Sequence, residues 1–308
     1  MPLYDLAGLT LRSPLPLPGA AYGEGSADVE VTLEQPVSGP GSDGDVVAEL
    51  MVNGRLRYRF SQGEAGYVGH FPDTVDFLIS KDLRAVACVP APGVPRELVA
   101  ILLAGAVTAF IHGMGGRFVL HASAVEVDGR VFAILGRSGS GKTTVAAAMC
   151  AGGATLISDD VLVVSTRSER LECRGTSAEL RLRASAAVLV DEFSPRPSVR
   201  RTTDDRLALT PPATNASATP LGGLLFPRLD RERTVLELVD IEPGAAVGLL
   251  LQGMRIEGWQ RPEHIRQNFD DACTVAGRVP AFALWVPWGP DGHRQLSTST
   301  IEAVRRLP

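Results

Sequence analysis

The chain has 308 residues, 45% of them apolar and 21% charged, with a formal net charge of −5 and a pI near 5.6. That is enough for one large or two ordinary globular domains with real cores. The acidic balance supplies no basic field for nucleic acid, and no uninterrupted apolar run approaches the roughly 18 residues of a membrane span, so neither is an expected partner.

The opening nineteen residues, MPLYDLAGLTLRSPLPLPG, lack a basic region followed by an apolar core. They do not read as an export signal, and the expected compartment is the cytoplasm. Alternating runs at 28–33 (DVEVTL), 56–60 and 76–79, separated by glycine and proline, predict short strands and a β-rich N-terminal domain over residues 1–95. Residues 88–97 (CVPAPGVPRE) read as a proline-rich linker, and 98–111 as a buried, alanine-rich helix that opens a core domain over 96–308. Residues 120–127 and 130–135 flank Asp128-Gly129, a two-residue hairpin signal, so these strands should pair antiparallel. A short helix over 143–151 closes at Gly152-Gly153, and strands follow at 154–158 and 161–165. Residues 194–219, rich in Pro, Arg, Ser, Thr and Asp, predict an exposed loop or lid. Beyond it, 221–226 reads as a strand, 245–256 and 262–277 as helices, and 282–286 as a last strand. The four cysteines, at 88, 150, 173 and 273, form no C-x-x-C pair, which argues against zinc or a disulfide framework and for buried thiols.

The chemistry concentrates in residues 131–160, VFAILGRSGSGKTTVAAAMCAGGATLISDD. Gly136-Arg137-Ser138-Gly139-Ser140-Gly141-Lys142-Thr143 matches G-x-x-x-x-G-K-[ST] at every fixed position, between an apolar strand and a helix as that motif requires. Gly136, Gly139 and Gly141 let the backbone N–H groups turn inward, Ser138, Ser140 and Thr144 complete the cradle, and the helix that follows offers its positive end to the same anion. Lys142 would reach the outer phosphates and Thr143 would bind magnesium. Of thirty Lys and Arg residues only Lys81 and Lys142 are lysines, so this lysine runs against the chain's own bias. Asp159 and Asp160 end the strand after the loop helix, and alternation sends their side chains to opposite faces with different tasks: one to bind magnesium, one to accept a hydroxyl proton. His121 can touch either the phosphates or these carboxylates; by spacing alone it reads equally well as structural.

His121, GRSGSGKT and LISDD, in that order and separation, resemble the catalytic core of the HPr kinase/phosphorylase family over residues 120–164. More loosely, the opening LAGLTLRSPLPLPG, VDFLIS, LRLRASA and LLFPRL are similar to shorter kinases encoded with ribosomally made peptides, among them the lasso precursor peptide kinases. The resemblance implies an α/β fold with an HPr kinase-like phosphate-loop core, a hairpin-led mixed sheet and a smaller β-rich N-terminal domain. It implies ATP and Mg2+ as cofactors, with Lys142 and Thr143 on the triphosphate and metal, Asp159 as general base, Asp160 supporting it or the metal, and His121 by the terminal phosphate. Glu172-Cys173-Arg174-Gly175 echoes the family's E-x-R-G signature but follows the aspartates too closely and lacks the glycine-rich continuation, which leaves Glu172 a weak metal ligand. A second cation for the phosphates would come from the arginines of 181–206 or from Arg255, and spacing selects none.

The expected activity is transfer of the γ-phosphoryl group of ATP to a serine hydroxyl of a peptide or small protein, a ribosomally made precursor included. A small-metabolite kinase on the same core and a nucleotide-gated regulatory NTPase without an acceptor are the alternatives. A homo-oligomer is expected only by analogy with the family.

Overall fold

The computed structural model describes residues 1–35, 44–167, 169–212, 214–287 and 292–307, the stretch 292–295 by its backbone alone. The fold is mixed α/β. Nine strands build the first sheet: β1 (Leu3–Asp5), β2 (Thr10–Arg12), β3 (Ala21–Tyr22), β4 (Val29–Leu33), β5 (Asp45–Val52), β6 (Arg55–Gln62), β7 (Gly66–Phe71), β8 (Val75–Ser80) and β9 (Ala85–Pro90). They lie in the order β3-β1-β2-β4-β9-β8-β7-β6-β5, an antiparallel meander from β5 to β9 that meets β4 in parallel. Period-two alternation sets which face is buried: Val75, Phe77 and Ile79 of β8 point inward while the residues between them are half-buried. The expected strands at 28–33, 56–60 and 76–79 fall on β4, β6 and β8. The expected linker is shorter than 88–97, because Cys88 and Val89 are buried in β9 and only 91–95 lie outside regular structure.

A continuous helix follows: α1 (Arg96–Leu102), a π-helical turn (Leu103–Val107) and α2 (Thr108–Met114). Its 19 residues, with mean hydropathy 1.8, are long and apolar enough to cross a membrane by length and composition, which corrects the expectation that no such run exists; 67% of that window is buried inside the fold. Sequence reading stopped at 111 because His112 interrupts the apolar run, yet the ring is buried and its Nε2 lies 2.9 Å from the Leu6 carbonyl. Phe110 locks the helix to the first sheet. Its ring stacks on Phe60 at 4.1 Å and lies nearly parallel to Trp259 at 5.8 Å.

The second sheet holds β10 (Phe118–Leu120), β11 (Ser123–Val127), β12 (Arg130–Ile134), β13 (Thr155–Asp159), β14 (Leu162–Ser165), β15 (Glu172–Gly175) and the long β19 (Thr219–Asp230), in the order β10-β14-β15-β19-β12-β11-β13. The hairpin forms as expected, with Asp128 and Gly129 both at positive φ (52° and 76°), the two-residue turn that matches strand twist. The expected strand 120–127 is broken at His121 and Ala122, because β10 pairs with β14 whereas β11 pairs with β12 and β13. β12 is antiparallel to β11 and parallel to β19, so the sheet is mixed. Between them, α3 (Lys142–Ala151) is buried from Val145 to Cys150.

Residues 194–219 are not one open loop. β16 (Leu180–Leu182), β17 (Val199–Arg201) and β18 (Leu207–Leu209) form a small antiparallel sheet, with a 3-10 helix over Ala184–Glu192 between β16 and β17. Leu180, Leu182 and Leu209 bury into the cluster that packs α3, and three-residue strands edged with arginine carry no periodic signal. β20 (Glu237–Ile241), β21 (Ala281–Pro287), α4 (Pro243–Gln252), α5 (Pro262–Arg278) and α6 (Gly292–Arg305) complete the described elements, and β21, parallel to β19 and antiparallel to β20, brings the second sheet to nine strands as well. α4 ends at Gln252, capped by Gly253 and earlier than the expected 256, because the chain there turns to pair with strands. Cys88, Cys150 and Cys173 are buried, but Cys273 is exposed on α5, against the expectation for all four.

Phe110→Ala removes the ring between Phe60 and Trp259 and should cost about 3–5 kcal/mol, read from the urea midpoint. A loss under about 1 kcal/mol would mean that the helix is held to the sheet by other contacts.

Candidate functional site

β12 ends at Ile134, and the Leu135 N–H bonds the Leu225 carbonyl of β19 at 2.8 Å, which aims the phosphate loop off the end of the sheet. Gly136, Gly139 and Gly141 have φ of 143°, 85° and 95°, a backbone that side chains rarely allow. Gly141 caps α3, so the unpaired N–H groups of the first turn face the loop's interior. Lys142 is 7% exposed, and its Nζ donates to the Gly136 carbonyl at 2.8 Å. Burial pushes the Lys142 ammonium down, while Asp159 and Asp160 pull it back up.

The two carboxylates leave β13 in different directions. Asp159, 8% exposed, lies opposite Ser123 across the β11–β13 ladder and accepts its hydroxyl at 2.5 Å. The same Oδ1 accepts the Thr143 hydroxyl at 2.8 Å, and Oδ2 accepts the Arg181 N–H at 2.9 Å. Burial raises the Asp159 carboxyl, outweighing these three donors. Asp160 turns to the other side: Oδ1 is 2.9 Å from His121 Nδ1 and Oδ2 is 3.0 Å from Arg255 Nη2. Burial would raise this carboxyl, but Arg255 and His121 more than offset it and hold it well below the usual carboxylate range. His121 Nδ1 also faces the Asp160 carbonyl at 3.2 Å. Both groups are acceptors, so the neutral ring carries its proton on Nδ1 and keeps a lone pair on Nε2.

Arg255 is placed by residues without regular structure. Met254 bridges Leu120 of β10, the Arg255 N–H bonds the Val119 carbonyl at 3.0 Å, and four residues on Trp259 bridges Ala48 of β5. The Tyr58 hydroxyl takes the Glu257 N–H at 2.8 Å, and burial pushes that phenol up to about 12. The Arg255–Asp160 pair presses on the π-helical turn at Gly105, where a Cβ would lie 2.9 Å from both Arg255 Nη2 and Asp160 Oδ2. Only glycine fits there without moving the pair.

These groups line one cleft of about 310 Å³, with Ser138, Gly139, Gly141, Lys142, Thr143, Thr144, His121, Asp159 and Asp160 all on its wall. Gly136 and Ser140 stand beneath it in the loop, with the Ser140 Oγ buried against Gly136. Ser123 and the Arg181 N–H are functional groups that sequence reading missed; a hydroxyl at the start of the strand that pairs with the aspartate strand was the available signal for Ser123. The expected pairing of Thr143 with Asp160 at a metal is not what the side chains form, since Thr143 bonds Asp159. A register shift in β13 is the reason: Leu156 packs with α3, and the extra residue between Leu156 and Ser158 returns Asp159, rather than Asp160, to that face. Glu172 does not reach the cleft. With Arg174 it lines a larger cavity of about 580 Å³ against residues 7–9 and 111–117.

The residues fit a polyphosphate. Ser140 Oγ, Arg181 Nε and Arg255 Nε are buried polar atoms without a hydrogen-bond partner among the described residues, and all three border the loop or the cleft. No group of three or more His, Cys, Asp or Glu side chains among the described residues is arranged to hold a metal alone. Magnesium accepts one or two carboxylates completed by water and phosphate, so the pair of Thr143 and Asp159 suits it.

No protein-family model matches the chain, and no curated protein matches it. Among solved structures it is similar to the Hpr(Ser) kinase/phosphatase from Coxiella burnetii, with 12% identity, a TM-score of 0.31 and coverage of 61% of this chain and 90% of that one. A likeness at that level carries no argument, so the functional reading stands on the cleft.

Asp160 stabilises the fold as an anion, fully above the ordinary carboxyl value of 3.8, and that contribution is lost as pH falls through the depressed value. Arg255→Met should therefore cost about 1–3 kcal/mol at pH 7 and move the acid unfolding midpoint to higher pH. Gly105→Ala should do the same more weakly. Unchanged acid midpoints in both variants would show that the pair contributes nothing.

Proposed function

We propose that this chain is a magnesium-dependent kinase that transfers the terminal phosphoryl group of ATP to a hydroxyl, with a serine on a peptide or small protein as acceptor. The observation that carries the reading is the phosphate loop whose Thr143 hydroxyl is bonded to Asp159, while the adjacent Asp160 holds His121 in a single tautomer. Phosphate plus metal on one side and a poised proton acceptor on the other are the parts a phosphoryl transferase needs.

Lys142 and the first-turn N–H groups of α3 would hold the phosphates; Thr143 and Asp159 would hold the metal, which neutralises phosphate charge when bound. Asp160 is too well satisfied by Arg255 to take up a proton itself. It orients the His121 ring, whose Nε2 lone pair then accepts the hydroxyl proton of the acceptor, in the manner of an aspartate-supported histidine base. This reverses the division expected from the sequence, in which Asp159 was the base. Asp159 remains the alternative base, because burial raises its carboxyl. The peptide acceptor is supported by the resemblance carried by His121, GRSGSGKT and LISDD.

The test is intact mass of serine-containing peptides after incubation with the protein, ATP and magnesium. We expect a gain of one phosphate, lost on the order of 10²–10⁴-fold in rate in Asp160→Asn, with nucleotide affinity kept. Lys142→Ala should instead weaken nucleotide binding itself. Nucleotide turnover without gain on any peptide would point to a small-molecule acceptor or a regulatory NTPase, and no nucleotide binding at all would end the reading.

A further inference from the structure

We infer that Arg183 is the cation that grips the terminal phosphate from the wall facing the loop. The inference rests on the kinase reading above and assigns one residue from a stretch in which spacing favoured none.

That wall is the small sheet of β16, β17 and β18. Its position is fixed at one point by the Arg181 N–H on Asp159 Oδ2, 2.9 Å away. Two residues further on, just past the buried Leu182 that ends β16, Arg183 continues in an extended conformation and caps the 3-10 helix. Period two puts positions 181 and 183 on one face, and both line the cleft. Their guanidinium groups differ in one respect. Arg181 Nη2 is tied to Asp204 Oδ2 at 2.6 Å, and Arg206 Nε lies 3.4 Å from the same oxygen. The Arg183 guanidinium makes no hydrogen bond or ion pair among the described residues. It is nonetheless close to the loop: Nη1 stands 3.9 Å from where a Cβ on Gly139 would be.

An unpaired guanidinium facing the crown of a phosphate loop, 3.9 Å from where a Gly139 Cβ would stand, is placed to meet an anion held there. It repels Lys142, contributing to the lowering of that ammonium, and gains nothing from the neutral glycine beneath it. The cleft as a whole carries five cationic side chains against two carboxylates, an excess that a polyanion would balance. The loop N–H groups and Lys142 serve the phosphates that lie in the cradle. Arg183 approaches from the opposite wall of the same cleft, the wall that the Arg181 N–H ties to Asp159, so it can meet the phosphate that projects furthest from the cradle. A planar, always-charged fork fits an equatorial pair of phosphate oxygens and strengthens its hold as charge develops there.

The measurement is calorimetric binding of ADP and of a non-hydrolysable ATP analogue, each with magnesium, to the wild type, Arg183→Ala and Arg183→Lys. Arg183 is exposed and unpaired, so these variants should unfold at the wild-type temperature. We expect Arg183→Ala to weaken the analogue about tenfold while ADP stays within about twofold, with Arg183→Lys between. Turnover in Arg183→Ala should fall on the order of 10³-fold and recover in part with added guanidinium ion. Equal weakening of ADP and analogue, or no change in either, would overturn the assignment and leave the kinase reading intact. Failure of the wild type to bind either nucleotide would instead remove the kinase reading, and this inference with it.

Discussion

Asp159 and Asp160 are consecutive residues at the end of one strand, and both carboxylates line one cleft, Asp159 buried and Asp160 about one-third exposed, close enough for like charges to repel. The fold meets that constraint by separating them. Asp159 receives two hydroxyls and a backbone N–H, neutral donors that leave its carboxyl raised by burial. Asp160 receives a full positive charge from Arg255 and a ring N–H from His121. One carboxylate is thus left available to a cation, while the other is spent on orienting a histidine. Much of the surrounding architecture follows from this division: the break between β10 and β11 that frees His121, the serine opposite Asp159, and the glycine in the π-helical turn that makes room for the ion pair.

The legible part of the sequence was the part with local causes. The phosphate loop, its helix, the Asp128-Gly129 hairpin and the aspartate strand each carry their own signal in turn chemistry or alternation, and each lies within a residue or two of its expected place. The small sheet of β16 to β18 was invisible, because its strands are three residues long and are held by Leu180, Leu182 and Leu209 reaching into a distant core. The roles of the two aspartates were half legible. Alternation required that they differ, but which one met Thr143 depended on which face of β13 α3 covers, a fact of packing rather than of pattern. Arg255 was one of several candidate cations that spacing could not separate; what singles it out is that the chain beyond α4 runs between two sheets.

That run gives the molecule a property beyond holding a side chain. Its first residues are bridged to β10, and five residues later it is bridged to β5, with the Gln260 N–H bonding the Val47 carbonyl at 2.9 Å. Gly258 lies so close to Glu49 that a Cβ would stand 1.9 Å from its carbonyl oxygen, which leaves the connection no slack. Arg255 sits on this tie between the first sheet and the sheet that carries the loop. The guanidinium's 3.0 Å contact with Asp160, and the 2.9 Å contact of Asp160 with His121 behind it, therefore rest on residues of both sheets. The ion pair thus joins three parts of the fold at one point: a run fastened to both sheets, the end of β13 and, through Asp160, the His121 ring.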